Sequence, residues 1–315
     1  MKTGAFIIPT GVGASIGGFA GDASKWARKL AKKCRLIVNP NVVNAACFSG
    51  ITENMLYVEG YTLDRFFKGQ IGLKESENNK IGVVFDKAIP QDVLNIHINT
   101  INAVKTVYDI DILGYEITKE DVGVSFYVDN FGISTGNVKN LETIRTATRK
   151  LIDKGCNSVA IVCLFPEEQG DDYANGIGVD PVGGVEAIIS HYISKELEIP
   201  SAHAPAFINT EISSEIVDSR CSAEYITPTF LPCVLLGLSN APQITTKLDG
   251  ININNLDFLV VPYDALGGIP VLEMNKLNKK IYAVKENETI LDVTPVHLSV
   301  KCDTIERYED LMELV

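Results

Sequence analysis

Asp180, Glu186, His191 and His203 fall within 24 residues of one another, in a chain that has four histidines in all. Carboxylates and imidazoles ligate divalent metals, and they are equally the pairs that give and take protons near neutral pH. Glu186 and His191 are five residues apart, about 140° around an ideal helix, so they do not converge as an i, i+4 ligand pair does. His191 therefore also has a plainer reading, as a hydrogen-bonded core histidine beside Ile188 and Ile189. His203 ends an apolar β-like run and precedes Ala204-Pro205. There a strand emits a functional loop, or a histidine simply caps a turn. Cys233, in Phe230-Leu-Pro-Cys-Val-Leu-Leu236, reads first as a buried thiol. If the elements carrying Glu59 and Cys233 are equivalent, the two face each other across a pseudo-two-fold cleft. Two acid/base groups on opposite sides of one carbon are what racemisation or isomerisation requires.

What must position these residues is a pattern that occurs twice. Gly11-Val-Gly13, then Gly17-Gly18 and Pro40-x-x-x-Asn44, is echoed by Gly176-Ile-Gly178, then Gly183-Gly184 and Pro205-x-x-x-Asn209. Each copy follows an apolar run, Gly4–Pro9 and Val159–Leu164. Agreement on so many fixed points predicts a duplicated strand–turn–helix unit. A glycine turn that opens a helix presents unpaired N–H groups to an anion. Gly13, Gly17, Gly18, Gly183 and Gly184 are thus the candidate anion cradle, with Asp22, Asn41, Asn44 and Asn209 orienting a polar substrate. The plainer reading is two tight strand–helix turns with asparagines capping them. Neither turn is G-x-x-x-x-G-K-[ST], and the glycine spacing does not fit the dinucleotide fingerprint.

Periodicity predicts strands over residues 4–9, 36–38, 55–58, 81–85, 159–164 and 258–262. It predicts helices over 22–33, 91–108, 141–154 and 184–197. Residues 70–80 and 129–140 read as polar loops, and Glu286–Thr289 with Thr294-Pro295 as a polar loop over the cleft. Strands alternating with helices predict parallel sheets. The runs 81–85 and 258–262 each soon reach an aspartate, Asp86 and Asp264. The predicted fold is α/β: two similar lobes from an internal duplication, residues 1–145 and 146–315, each a mainly parallel sheet flanked by helices. A ligand cleft lies between them, at the carboxyl ends of the strands.

A formal charge of −12 with no basic block argues against nucleic acid as a partner. The seven cysteines are scattered, odd in number and without a C-x-x-C, which fits reduced thiols. No apolar run reaches the roughly 20 residues that span a bilayer, and no signal-peptide pattern opens the chain. These features predict a cytoplasmic protein that does not engage a membrane. The lobe surfaces are compatible with a homodimer.

Several motifs resemble the bacterial, cyanobacterial and plastid family known as domain of unknown function 3326. They are Pro9-Thr-Gly-Val-Gly-Ala-Ser-Ile-Gly-Gly-Phe-Ala-Gly-Asp22, Asn39-Pro-Asn-Val-Val-Asn44, Tyr57-Val-Glu-Gly-Tyr61 and the run Gly178–His191. Ile199–Pro205, Phe230–Val234, Glu286–Thr289 and Val293–Pro295 extend the resemblance over nearly the whole chain. It leads one to expect Cys before Ala202-His-Ala-Pro205, where this chain has Ser201, and so weakens any mechanism that places a thiol there. The resemblance implies a family and no stated activity.

From the residues themselves, the expected function is an enzyme that moves a proton on a small anionic metabolite, in an isomerase, racemase or lyase type of reaction. His203, Cys233 and Glu59 are its expected catalytic groups, and no cofactor is favoured. The alternative is a metal-dependent hydrolase or lyase with a divalent ion on Asp180, Glu186, His191 and His203. A further alternative is a metabolite-binding protein without turnover.

Overall fold

The computed structural model describes residues 1–18, 21, 23–166, 173–246 and 248–315. Asp22, a candidate substrate ligand, lies outside the described residues. The principal strands in chain order are β1 (Thr3–Phe6), β2 (Arg35–Val38), β3 (Met55–Tyr57), β4 (Ile81–Phe85), β5 (Ile112–Ile117), β6 (Val124–Val128), β7 (Ser134–Val138), β8 (Ser158–Leu164), β9 (Ser201–Ala206), β10 (Phe258–Pro262), β11 (Lys280–Val284) and β12 (Asp303–Ile305). The helices that matter for the site are α1 (Ser24–Ala31), α2 (Gly60–Phe67), α3 (Gln91–Tyr108), α4 (Leu141–Asp153), α5 (Gly183–Leu197), α6 (Leu231–Ser239) and α7 (Ile269–Lys276).

The fold is mixed α/β, with two parallel sheets flanked by helices. The larger sheet has strand order β12-β11-β10-β1-β2-β3, parallel throughout. The smaller has the order β9-β8-β4-β5, again parallel. Sheet membership cuts across residue 145. The larger sheet draws on residues 3–57 and 258–305, and the smaller on strands from either side of 145. Parallel neighbours are joined by crossovers of about a dozen residues or more, so a strand can pair with one distant in the chain and chain order does not dictate sheet order.

Within each sheet one βαβ unit carries a glycine turn. β1 leads through the first turn and α1 to β2, its parallel neighbour, and β8 leads through the second turn and α5 to β9. On the far side of β1 lies β10, and on the far side of β8 lies β4. The aspartates after these two strands do the same work. Asp264 accepts from the N–H and hydroxyl of Thr289, beyond β11. Asp86 accepts from the N–H of Val122, beyond β5.

Period-2 alternation divides the strand side chains between cores. Ala5, Ile37, Leu259 and Ala283 face a core closed by Leu63 and Phe66 of α2 and Met274 of α7. Phe6, Leu36, Val38 and Val260 face the opposite way, into a core shared with Val83, Phe85, Ala160, Val162 and Ala204 of the smaller sheet. Helices α3 and α6 belong to this shared core, so the two sheets are joined through one apolar layer. Gly237 of α6 lies flat on the Tyr57 ring, where a Cβ would come within 2.6 Å of it. The outer face of the smaller sheet is closed by Ile144 and Leu151 of α4 and Val185, Ile189 and Ile193 of α5.

The segments expected to be polar loops at 70–80 and 129–140 contain short strands, Gly72–Lys74 and β7. Both sequences are rich in Gly, Asn and Lys, and their pairing with 243–245 and with β6 supplies what local propensity lacks. The Glu286–Thr289 loop also differs from expectation. It clamps the back of the first glycine turn: Ser15 donates from its N–H to Glu288 O and from its hydroxyl to Glu286 O, and Ile16 N–H donates to the buried Asn287.

Candidate functional site

The two glycine turns meet. A Cβ on Gly13, whose φ is +57°, would sit 2.8 Å from the Gly178 carbonyl oxygen. Glycine alone allows both that left-handed backbone and that approach. Ser134, at the start of β7 and 4% exposed, ties the turns together. Its N–H donates to Gly11 O (2.9 Å), its hydroxyl donates to Pro181 O (2.7 Å), and its Oγ accepts from Gly184 N–H (3.1 Å).

This contact makes the second turn a poor anion cradle. Gly184 N–H is engaged by Ser134, while Asp180 accepts from the N–H groups of Val182 (3.0 Å) and Gly183. The start of α5 is thus already met by a carboxylate of the chain itself, as helix N-termini favour.

Between the turns, at the carboxyl ends of strands from both sheets, lies a cavity of about 120 Å³. Gly17, Gly18, Asn41 and Asn44 line it from the first unit, and Asp180, Glu186 and His203 from the second. Phe207, Glu224, Phe230 and Cys233 complete the part of the wall that bears on chemistry. Gly13, Gly183 and Gly184 build the turns without lining the cavity. Asn209 lines a neighbouring open groove, where its Oδ1 accepts from Glu211 N–H.

His203 is the third residue of β9, within the strand and not at its end as expected. Its Nδ1 is 2.9 Å from Ser190 Oγ and its Nε2 is 3.9 Å from Glu186 Oε2. Burial, with the neighbouring His191, holds its pKa down to about 3, so the ring is a neutral base at physiological pH. Glu186 is 7% exposed, and burial reinforced by Asp180 and Glu224 pushes its carboxyl well above the usual carboxylate range. Its Oε1 has no hydrogen-bond partner among the described residues, and neither has Asn44 Oδ1. Asn44 donates instead to the Tyr57 hydroxyl (3.0 Å), and Asn41 to Pro9 O (2.8 Å). No lysine or arginine lines the cavity among the described residues.

Glu59 lies elsewhere, capping α2. It is 3% exposed, and its two oxygens accept from Tyr61 N–H (2.8 Å) and Thr62 N–H (2.7 Å). It does not line the cavity. Its expected equivalence with Cys233 fails because Tyr57 ends a strand whereas Leu231–Val234 opens a helix. Cys233 does line the cavity, but burial raises its thiol and it donates to Phe230 O, which makes it an inert wall. Ser201 is equally committed, donating to Ser190 O (2.8 Å).

The four expected metal ligands do not converge. Asp180, Glu186 and His203 share the cavity, while His191 packs on Gly60 with its Nε2 3.6 Å from Glu59. Among the described residues no three His, Cys, Asp or Glu side chains form a group that could hold a metal ion. Ser134, Glu224, Phe207 and Phe230 are site residues that sequence reasoning missed. Only their apposition in space marks them.

Residues 3–315 match the family described as Protein of unknown function (DUF3326). The chain belongs to this family. It is 36% identical to a Synechococcus protein named an uncharacterized lipoprotein, over 97% of this chain and 88% of the relative. That name overturns the cytoplasmic expectation drawn from composition, since lipoproteins are anchored by a lipid that no apolar span announces. No helix among the described residues is long and apolar enough to cross a membrane. No solved structure matches the chain significantly.

Proposed function

We propose that this DUF3326 protein is an enzyme that transfers a proton on a small polar metabolite held between the two glycine turns, in an isomerase or lyase type of reaction. The observation that carries this reading is the His203–Glu186 pair, 3.9 Å apart on the wall of the cavity. Opposing displacements of an acid and a base in one cleft are a mark of functional sites. His203 Nε2 accepts the proton from the ligand and later returns it. Ligand binding first sends the Glu186 proton to solvent, and the carboxylate left beside His203 raises the basicity of its ring and supports the imidazolium formed in between.

The same reading assigns the two βαβ units to an internal duplication. Four strands correspond in order, β2-β1-β10-β11 with β9-β8-β4-β5, and Asp264 and Asp86 occupy matching posts. The ligand cleft is the seam between the copies.

The test needs no prior substrate. The protein is incubated with a metabolite extract in D2O, and mass spectrometry seeks compounds that gain solvent deuterium. Uptake with wild type, absent with His203→Gln, is the expected result. Equal labelling by the two proteins, or none with wild type, refutes the proposal.

A further inference from the structure

We infer that the ligand of the cavity is an organic ammonium compound, its nitrogen donating to Glu186 Oε1 and its carbon chain leading out past Phe207 and Phe230. This rests on the cavity being a ligand site, as proposed above. Three carboxyl groups, Asp180, Glu186 and Glu224, line the cavity, and no lysine or arginine does among the described residues. The Glu186 side chain is more than nine-tenths buried, and among the described residues its Oε1 lacks a partner, as does Asn44 Oδ1 across the cavity. Both unmet atoms are acceptors once Glu186 is ionised. A carboxylate or phosphate ligand would add further acceptors and like charge. An ammonium group brings three donors and the positive charge that the wall lacks.

The exit is aromatic. Phe207 and Phe230, with ring centroids 6.2 Å apart at 72°, line both this cavity and an open groove of about 420 Å³. Their faces suit methylenes and attract a passing cation, and Glu224 lines both spaces.

The groups that face Glu186 are Asp180, Glu224, His203, Tyr57, Cys163 and Cys233, with His191 behind His203. None of these supplies a positive charge at neutral pH while His203 is held neutral. In the empty cavity burial keeps the Glu186 proton in place. An arriving ammonium ion displaces that proton to solvent, so charge is conserved and binding is proton-linked.

Isothermal titration calorimetry of the full chain with n-butylammonium chloride, in two buffers of different ionisation enthalpy, tests this directly. Sodium butyrate, n-butanol and potassium chloride are the comparison probes. The expected result is binding of butylammonium with release of roughly one proton per site, weakening as pH falls. Glu186→Gln is expected to weaken it by roughly tenfold or more, the loss of a charge-assisted hydrogen bond. Glu224→Gln provides the second variant should the first fail to fold. Preferred binding of butyrate or butanol overturns the ammonium inference and leaves the ligand cavity standing. Heats equal to those of potassium chloride, or no binding by any probe, also overturn it, and deuterium uptake then still tests the proton-transfer reading alone.

Discussion

Replacing Glu186 by glutamine probes the electrostatics of the cavity through stability alone, before any substrate is known. The carboxyl is buried, one oxygen is unpaired among the described residues, and Asp180 and Glu224 add like charge, so its pKa lies well above the ordinary range. The unfolded chain has an ordinary carboxyl. Below that ordinary range both states are protonated and the folded state keeps its full stability. As pH rises through it, the unfolded chain releases the proton and the folded chain holds it, so stability is lost. The slope is up to about 1.4 kcal/mol per pH unit until Glu186 itself ionises. Glutamine does not titrate. The advantage of Glu186→Gln over wild type therefore grows with pH, by up to about 2.7 kcal/mol between roughly pH 5 and pH 7. That corresponds to roughly 4 °C in Tm for a chain of this size. Urea unfolding of both proteins at three pH values across this window measures the slope. A difference that stays flat with pH would show that Glu186 ionises normally in the folded protein, and the argument from burial would fail. An advantage that shrinks with pH would reveal a cationic partner and refute it outright.

Ser134→Ala leaves the Pro181 carbonyl and the Gly184 N–H without their partner. The expected cost is about 2–3 kcal/mol in thermal or urea unfolding, and a neutral result would show that the turns do not depend on this bridge. Glu59→Ala removes the α2 cap and should cost about 1–2 kcal/mol. Deuterium uptake by the folded variant should stay at the wild-type level, and its loss would return Glu59 to the catalytic group. His97 is fully buried, its Nδ1 lies 2.9 Å from Val93 O, Nε2 is unpartnered among the described residues, and burial lowers its pKa. The folded state therefore refuses a proton that the unfolded chain accepts below the usual histidine range. The advantage of His97→Phe should grow as pH falls from about 6.5 to 5, by up to about 1.4 kcal/mol per unit. Chemical denaturation at the two extremes decides it, and an unchanged difference would count against a buried neutral imidazole.

Much of the architecture was legible because its signals are local. Short apolar runs bounded by Gly, Pro and Asn located β1, β4, β8 and β10, and helical spacing located α3, α4 and α5 to within a residue or two. β5, β6 and β7 escaped notice. β5 alternates apolar with Gly and Glu at an exposed sheet edge, where Leu113, Tyr115 and Ile117 face solvent. β7 reads Ser-Thr-Gly-Asn-Val, and nothing in that composition announces a strand. Its importance lies in one hydroxyl placed between two turns.

The sequence by itself determined that the chain is α/β, that two glycine turns follow two core strands, and that histidine and carboxylates cluster near the second. These follow from periodicity and from residue types that act within a few positions. Tertiary structure alone decided which groups meet. It brought Glu186 to His203 and set His191 apart on Gly60. It also made Glu59 a helix cap, occupied the second turn's N–H groups, and, among the described residues, left two polar oxygens unpaired in a cavity lined by no lysine or arginine. Each outcome depends on contacts between residues distant in sequence, where the direction of a side chain and its loss of water override what its type alone suggests.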